Sequence, residues 1–457
     1  MDAWFGHQHP LVDYSLASSA PDTLSMYLTS VTLFIGALAS GLASAAPARH
    51  GQQQRPISNI QLGPRPFYLV DQMDDSSLKS KLQFCSERRN TASDFSISHR
   101  GAPLQFPEHT EESWLAAARE GAGILECDVA FTKDLQLVCR HSQCDLHTTT
   151  NILSIPELAA KCTEPFSPAS ADGKTKASAK CCTSDITLAE FKSLCGKMDS
   201  SDSTATTPEQ YQNGLESWRT TLYSPGCPKL HSHAEFLTIV ESLGLKFTSE
   251  LKTPEVPMPF TSASEHAAHQ NYTQEVYAQQ LVDEYKRANI DPSRVFLQSF
   301  LQDDILYWID AEPDFARQAV YLDERVDTPE GYEGAVASLA DLAKRGVKIM
   351  APPIFALLAL DDSSDDGNGK QRIVPSKYAK AAKEAGLDLI AYSLERSGPM
   401  ERVKADGEYY FSSVADVMKS EGDIYEVIDA LAREVGAKGV FSDWPATVTY
   451  YANCMGL

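Results

Sequence analysis

Short apolar runs recur along the chain and alternate with longer amphipathic segments. Such runs, bounded by polar or turn-forming residues, predict β-strands. The predicted strands are Phe95–Ser98, Gly123–Phe131, Gln136–Arg140, Leu245–Leu251, Arg294–Ser299, Gln318–Leu322, Val347–Met350, Leu387–Leu394 and Gly439–Ser442. Helical spacing predicts helices between most of them, including Glu111–Glu120, Gln274–Asn289, Tyr332–Arg345, Ser376–Ala385 and Val427–Gly436. This alternation predicts parallel βαβ units.

The second and third predicted strands are separated only by the segment Thr-Lys-Asp-Leu at 132–135. Parallel strands need a long crossover, whereas antiparallel strands need only a turn. We therefore expect Gln136–Arg140 to fold back on Gly123–Phe131 as a hairpin, with residues 131 and 136, 128 and 139, and 126 and 141 opposite each other. Eight strands then remain, which predicts a (β/α)8 barrel over residues 94–457.

Residues 142–240 interrupt the alternation and contain polar low-complexity runs with clustered cysteines. We expect a small Cys-rich domain there, inserted after the hairpin on the second barrel strand. Residues 46–93 are predicted to form an N-terminal leader that packs on the outside of the fold. The acidic run DDSSDDGNGK at 361–370 is expected to be an exposed loop, with a weak calcium site as the alternative.

The N-terminal region has the features of a secretory signal. Residues 28–42 form an uncharged apolar run, followed by Ala43-Ser44-Ala45, a typical cleavage site. The run is too short for a comfortable membrane span, so residues 1–45 are predicted to be a signal segment. No Lys or Arg precedes the run, and a true start at Met26 would make residues 1–25 a gene-model artefact. An uncleaved anchor is the alternative interpretation.

Net charge and cysteine content indicate which binding partners the protein can have and in which cellular compartment it folds. The chain has 457 residues and a net charge of −22, which disfavours nucleic acid and anionic membranes as partners. Ten cysteines favour an oxidising compartment and disulfide bonds. Their connectivity is open, although Cys85 and Cys454 are candidates for one bond. Cys127 is expected to be a buried thiol, and Asn271 begins a glycosylation sequon.

The candidates for catalysis and for metal or phosphate binding lie on, or directly after, the first three barrel strands and the hairpin. The set is His99, Arg100, Glu108, Glu126, Asp128, His141, Glu250 and Lys252. Carboxylates two residues apart on one strand face repel each other unless a cation lies between them, and Mg²⁺ or Ca²⁺ prefers such oxygen ligands. Two histidines can serve as general acid and base, while an arginine and a lysine neutralise a phosphate.

The order of these residues resembles the signature of the glycerophosphodiester phosphodiesterase family. The matching segments are His99-Arg100-Gly101, Pro107-Glu108, Glu126-Cys127-Asp128, Thr132-Lys133-Asp134, His141, Glu250-Leu251-Lys252, Gln298-Ser299-Phe300 and Gly439-Val440-Phe441-Ser442-Asp443-Trp444-Pro445. The chain departs from the family pattern at His109, Leu135 and Ser142, and at the segment Ala391–Glu395.

The resemblance implies a role for each of these residues. His99 and His141 would be the acid–base pair. Glu126, Asp128 and Glu250 would hold one divalent cation, Mg²⁺ or Ca²⁺. Arg100, Lys252 and Glu108 would form the phosphate site.

The predicted function is that of a secreted hydrolase, either free or attached to the cell wall, that acts on small glycerophosphodiesters such as glycerophosphocholine. Its products would be an alcohol and sn-glycerol 3-phosphate, a reaction of lipid metabolism. One alternative is a phospholipase D-like enzyme that acts on lysophospholipid or sphingomyelin. A second alternative, from another class, is a non-catalytic secreted binding protein on the same barrel. No nucleic-acid partner and no stable membrane insertion after signal cleavage are expected.

Overall fold

The computed structural model of the protein describes residues 56–261, 271–365 and 371–457. The predicted signal segment therefore lies outside the described residues. The strands are β1 (Ser93–Ser98), β2 (Ala122–Phe131), β3 (Leu137–Cys139), β4 (Glu164–Ser167), β5 (Ser178–Lys180), β6 (Lys246–Leu251), β7 (Val295–Ser299), β8 (Val320–Leu322), β9 (Ile349–Ala351), β10 (Leu358–Asp365), β11 (Gln371–Pro375), β12 (Asp388–Leu394) and β13 (Gly439–Ser442).

Eight of these strands form a closed parallel barrel. Their order is β1, β2, β6, β7, β8, β9, β12 and β13, and β13 pairs in parallel with β1 to close the ring. Buried side chains fill the interior, among them Ile97, Ile124, Ile349, Ile390 and Phe441. The predicted (β/α)8 barrel is confirmed.

Helices cover the outside of the barrel, and their bounds follow in chain order. They are α1 (Arg65–Asp71), α2 (Ser77–Phe84), α3 (Glu111–Arg119), α4 (Leu146–Thr149), α5 (Pro156–Ala159), α6 (Leu188–Phe191), α7 (Pro208–Tyr211), α8 (His233–Leu243), α9 (Gln274–Arg287), α10 (Gln302–Ala311), α11 (Pro313–Ala316), α12 (Pro329–Lys344), α13 (Ile354–Leu357), α14 (Lys377–Glu384), α15 (Val403–Asp406), α16 (Asp423–Asp429) and α17 (Pro445–Met455). A π-helix, Ala430–Val435, continues α16.

Hydroxyl side chains start most of the long outer helices. Thr110 accepts a hydrogen bond from the backbone N–H of Ser113 at the start of α3, and Thr273 and Thr328 cap α9 and α12 in the same way. Such caps satisfy N–H groups that a helix start leaves without partners. The caps therefore fix where the chain leaves each barrel strand and turns back along the outside.

The hairpin is present, but the predicted register is wrong by one residue. β2 and β3 are antiparallel, with Phe131 opposite Leu137 and Val129 opposite Cys139. The turn is one residue longer than expected because Leu135 adopts a left-handed conformation with φ of 57°. Thr132 closes the turn, since its N–H donates to the carbonyl of Gln136 at 2.9 Å.

The corrected register also corrects the prediction for Cys127. With Val129 opposite Cys139, residues 127 and 139 lie diagonally on the same face of the hairpin, which brings their side chains together. They form a disulfide bond, so Cys127 is not a free thiol. The predicted pairing of Cys85 with Cys454 is confirmed.

The segment between the hairpin and α8 has a small core and three disulfide bonds of its own. The bonds join Cys144 to Cys182, Cys162 to Cys181, and Cys195 to Cys227. Buried side chains from this segment, such as Ile152, Phe191 and Tyr211, cluster separately from the main core. The expected disulfide bonds are therefore present, while the limits of an inserted domain stay a prediction.

One loop prediction is partly wrong. Residues 361–365 belong to β10, which pairs with β11 in an antiparallel hairpin. The prediction missed this strand because its second half is acidic and lacks the apolar residues typical of a strand. The rest of the acidic run, 366–370, lies outside the described residues.

Glu120, which follows α3, gives the fold a testable pH dependence. Its side chain is buried and accepts hydrogen bonds from Gln105 Nε2 and the backbone N–H of Ala446. Burial raises the pKa of Glu120 to about 7. Between pH 4.5 and 7 the unfolded chain releases this proton while the folded protein retains it, so stability falls as pH rises.

We expect Glu120→Gln to flatten this decline. One pH unit corresponds to about 1.4 kcal/mol, so the variant should lose about 3 kcal/mol less unfolding free energy than the wild type between these pH values. Urea unfolding at pH 4.5 and pH 7 measures the difference. Glu384→Gln, on an exposed turn of α14, serves as the control. Identical slopes for the Glu120 variant and the wild type would contradict the assignment.

Candidate active site

A pocket opens at the carboxyl ends of the barrel strands. It is lined by His99, Arg100, Glu126, His141, Glu250, Lys252, Gln298, Phe300, Leu322, Tyr392, Tyr410 and Phe441. Six of the predicted site residues are in this list. Parallel strands present their carboxyl ends at one face of a barrel, so residues far apart in sequence meet there.

The three predicted metal ligands lie together beside this pocket. Asp128 on β2 is directly opposite Glu250 on β6 in the parallel ladder, and Glu126 is two residues earlier on the same strand. Carboxylate oxygens of Glu126, Asp128 and Glu250 all lie within 4.8 Å of one another. All three residues are buried. Adjacent strands thus bring three potential negative charges into one small volume.

Burial and mutual repulsion shape the proton affinities of this trio. Burial, followed by the charges of Asp128 and Glu250, raises the pKa of Glu126 well above its usual range. Burial also raises the pKa of Glu250 to about 8, although Lys252 opposes the rise. For Asp128, burial is outweighed by His109 and Lys252, so its pKa is well below the usual range.

This arrangement fits a divalent cation. Asp128 Oδ1 is buried and has no hydrogen-bond partner among the described residues. Hard cations such as Mg²⁺ and Ca²⁺ bind carboxylate oxygens, and their charge would relieve the repulsion that raises the pKa values of Glu126 and Glu250. The donor set therefore offers three oxygen ligands from three side chains.

His99 is held by a carboxylate that the sequence analysis did not single out. Its Nδ1 lies 2.5 Å from Oδ1 of Asp443, which follows β13, and 2.9 Å from the hydroxyl of Ser393 on β12. Asp443 is ionised, since Arg396 and His99 outweigh burial and lower its pKa. An ionised carboxylate at Nδ1 favours a proton on that nitrogen, which leaves Nε2 to exchange a proton.

His141 follows the hairpin and lines the same pocket as Arg100 and Lys252. Burial, together with Arg100 and Lys252, lowers the pKa of His141 well below its usual range. Burial likewise lowers the pKa of His99, although Asp443 opposes the change. Both imidazoles are therefore neutral near pH 7 in the free protein.

Two positively charged side chains, Arg100 and Lys252, lie beside the three carboxylates. The backbone N–H of Arg100 donates to Glu126 Oε2 at 2.7 Å, and its guanidinium donates to Glu108 Oε2 at 3.0 Å. Lys252 Nζ lies 2.6 Å from Glu250 Oε1. Glu108 is thus the partner that orients Arg100, while Arg100 and Lys252 themselves line the pocket.

His109, one of the departures from the family pattern, also belongs to the site. Its ring is fully buried, and Nε2 lies 2.8 Å from Asp128 Oδ2. The backbone of His109 is left-handed, with φ of 52°. The contact could not be predicted from the sequence, because it depends on the turn that brings residue 109 back to Asp128 on β2.

A model of the glycerophosphoryl diester phosphodiesterase family matches residues 99–447 of the chain. The chain belongs to this family. It is therefore a phosphodiesterase-family barrel, as the resemblance of its motifs predicted, and the matched residues include every candidate site residue named above.

The chain is also similar to individual proteins over different shares of its length. An "Extracellular protein" of Arthroderma benhamiae is 51% identical over 260 residues, which is 57% of this chain and 100% of the relative. A glycerophosphodiester phosphodiesterase of Haemophilus influenzae is 23% identical over 377 residues, which is 77% of this chain and 87% of the relative. A solved Oleispira antarctica phosphodiesterase, in complex with the product sn-glycerol-3-phosphate, has 17% identity and a TM-score of 0.42 and covers 79% of this chain and 96% of its own.

Cation binding to the trio can be tested without any activity assay. We expect Mg²⁺ or Ca²⁺ to raise the unfolding free energy by about 2–3 kcal/mol at a concentration about a hundredfold above the dissociation constant. Glu126→Gln should abolish this gain, because it removes one ligand and one charge. The change in melting temperature on adding metal to EDTA-treated protein measures it.

The exposed Asp303 on α10 provides the control. Asp303→Asn should keep the full response to metal. A Glu126→Gln protein that is stabilised by metal as strongly as the wild type would show that the cation binds elsewhere.

Proposed function

We propose that the protein catalyses the hydrolysis of glycerophosphodiesters to an alcohol and sn-glycerol 3-phosphate. The observation that carries the proposal is the convergence of two histidines, two cations and three carboxylates on one pocket at the carboxyl ends of the barrel strands. Family membership supports the reaction class.

Arg100 and Lys252 would bind the phosphodiester oxygens. Both side chains line the pocket. The guanidinium of Arg100 also donates a hydrogen bond to Glu108, which holds it in place. An arginine in a fixed orientation can give two parallel hydrogen bonds to a phosphate, whereas a lysine provides a compact charge. Together they would place the phosphorus atom between the two imidazoles.

His99 and His141 would move the protons of the reaction. One imidazole accepts a proton from the attacking water as a new P–O bond forms. The other would take up a proton from solvent when the anionic phosphate binds beside it, and it donates that proton to the alcohol oxygen as the bond to phosphorus breaks. For His99 the exchanging atom is Nε2, since Nδ1 faces Asp443. Asp443 stabilises the imidazolium form during this exchange and is a positioning residue.

Glu126, Asp128 and Glu250 would hold a single Mg²⁺ or Ca²⁺. When bound, such an ion supplies positive charge to the phosphate oxygens and orients the substrate. Burial raises the pKa values of Glu126 and Glu250 in the free protein, and the charge of a bound ion would lower them again.

Five disulfide bonds within the described residues support action in an oxidising compartment. One relative carries the name "Extracellular protein". No helix in the part of the chain that the structure describes is long and apolar enough to cross a membrane. We propose that the protein acts outside the cell on water-soluble diesters.

Release of sn-glycerol 3-phosphate from glycerophosphocholine tests the activity. Turnover should stop in EDTA and return with Mg²⁺ or Ca²⁺. His99→Ala should lower kcat by about 10²–10⁴-fold while the protein remains folded, since a general acid or base contributes about that much. Folded, metal-loaded protein that hydrolyses neither glycerophosphocholine nor glycerophosphoethanolamine would refute the proposal, and lysophosphatidylcholine would then be tested.

The variant Asp443→Asn tests whether Asp443 positions His99 for proton transfer or only stabilises the fold. We expect kcat to fall about 10–100-fold with little change in KM. The side of the pH–rate profile that reports protonated His99 should also move to lower pH, because Asp443 favours the imidazolium form. Asp406→Asn, at an exposed position on α15, is the control. An unshifted pH profile in Asp443→Asn would show that the carboxylate does not act through His99.

A further inference from the structure

One arginine beside the candidate active site connects its acid–base part to its phosphate-binding part. Arg396 follows β12, and its Nη1 donates a hydrogen bond to Asp443 Oδ2 at 2.8 Å. Its Nη2 lies 3.6 Å from Glu108 Oε2. Asp443 is the partner of His99. Glu108 is the partner of Arg100, so a single guanidinium reaches both parts of the site.

The two oxygens of Asp443 have different partners. Oδ1 lies 2.5 Å from His99 Nδ1, and Oδ2 accepts the hydrogen bond from Arg396. Rotation of this buried carboxylate would break a charge-assisted hydrogen bond, which is about twice as strong as a neutral one. Burial would raise the pKa of Asp443, but Arg396 and His99 outweigh it. Arg396 therefore keeps Asp443 ionised and directed at His99.

Glu108 lies between two arginines. Its Oε2 accepts a hydrogen bond from Arg100 Nη1 at 3.0 Å, and the same oxygen is the one that faces Arg396. Burial would raise the pKa of Glu108, but Arg100 and Arg396 outweigh it and hold this pKa well below its usual range. Glu108 thus stays ionised and keeps a charge-assisted contact with the guanidinium that lines the pocket.

The Cys-rich segment between β3 and α8 supplies a third partner of Arg396. Asp199 Oδ2 accepts a hydrogen bond from Arg396 Nη2 at 3.2 Å. The other oxygen, Oδ1, forms an ion pair with Arg219 Nη2 at 2.6 Å. Arg219 in turn donates to the carbonyl of Pro103, after β1. Asp199 is therefore fixed to the barrel and can hold the guanidinium of Arg396 in one orientation.

Arg396 acts through these neighbours and not by direct contact with the substrate. Within the described residues the pocket lining includes Arg100 and Lys252 but not Arg396. A guanidinium is planar and presents its N–H groups in fixed directions, so it can contact several carboxylates at once. The ammonium group of a lysine has the same charge but lacks this geometry.

We propose that Arg396 is a positioning residue that fixes His99 and Arg100 together. Asp199 of the Cys-rich segment holds Arg396 in the orientation that does so. The proposal rests on the proposed hydrolysis, in which His99 moves a proton and Arg100 binds phosphate. It makes the Cys-rich segment a part of the catalytic machinery that does not touch the substrate.

Steady-state kinetics with glycerophosphocholine tests whether Arg396 serves both parts of the site. In Arg396→Lys we expect kcat to fall about 10–100-fold and KM to rise about three- to tenfold. The rise in KM separates this variant from Asp443→Asn, which leaves KM nearly unchanged. Arg402→Lys, at an exposed ion pair, is the control. A wild-type kcat or a wild-type KM in Arg396→Lys would overturn the proposal.

NMR titration of ¹⁵N-labelled histidines tests the role of Asp199 and needs no turnover. Burial lowers the pKa of His99, Asp443 raises it, and Arg100 and Arg396 lower it. If Asp199 holds Arg396, Asp199→Asn lets the guanidinium move away, and the pKa of His99 should rise. Loss of a negative charge without such movement would lower this pKa instead.

The sign of the change therefore decides between the two effects. Glu216→Gln, at an exposed position of the same segment, should leave the pKa of His99 unchanged. An unchanged or lowered pKa of His99 in Asp199→Asn would overturn the proposal. A raised pKa in a protein that hydrolyses no diester would refute the proposed function while supporting the positioning of His99.

A double-mutant cycle tests whether Asp199 acts through Asp443. Asp199→Asn alone should lower kcat about three- to tenfold. In the Asp443→Asn protein the same change should have less than about a twofold effect, because the connection is already broken there. Equal effects of Asp199→Asn in both proteins would show that it acts by another route and would overturn the proposal.

Discussion

Three buried carboxylates, held together by the pairing of β2 with β6, are the constraint on which the site depends. The ladder places Asp128 opposite Glu250 and Glu126 two residues away, so the backbone gives these groups no freedom to separate. Neighbouring positive charges offset part of the repulsion, and the pKa values of Glu126 and Glu250 are raised while that of Asp128 is lowered. A buried cluster of this kind is unfavourable for stability alone, and a divalent cation is the simplest reason for it.

A network of ion pairs connects the Cys-rich segment to His99, one of the two proposed acid–base residues. Arg396 donates to Asp443 Oδ2 at 2.8 Å and to Asp199 Oδ2 at 3.2 Å. Asp199 belongs to the Cys-rich segment, and Arg219 of that segment reaches the carbonyl of Pro103 after β1. Disulfide bonds and ion pairs thus fix the segment over the strands that carry His99. The position of His99 therefore depends on residues from both the barrel and the Cys-rich segment.

Local patterns were sufficient to predict the eight barrel strands, the hairpin and the candidate ligands, because strand alternation and short separations act over a few residues. They were not sufficient for the hairpin register, which depended on Leu135 taking a left-handed conformation, or for the Cys127–Cys139 bond that follows from that register. Asp443, Ser393 and Arg396 were missed as site residues. Their contacts with His99 and Glu108 span about three hundred residues of chain, and only closure of the barrel brings them together.

Anomalous diffraction from Mn²⁺-soaked crystals would test the central claim most directly, since Mn²⁺ shares the oxygen preference of Mg²⁺. The account predicts one strong peak within about 2.2 Å of carboxylate oxygens from Glu126, Asp128 and Glu250. Lys252 should then have moved away from Glu250 towards the phosphate position. If fully soaked crystals showed no anomalous peak at Glu126, Asp128 and Glu250, and Lys252 were still paired with Glu250, the result would contradict the account.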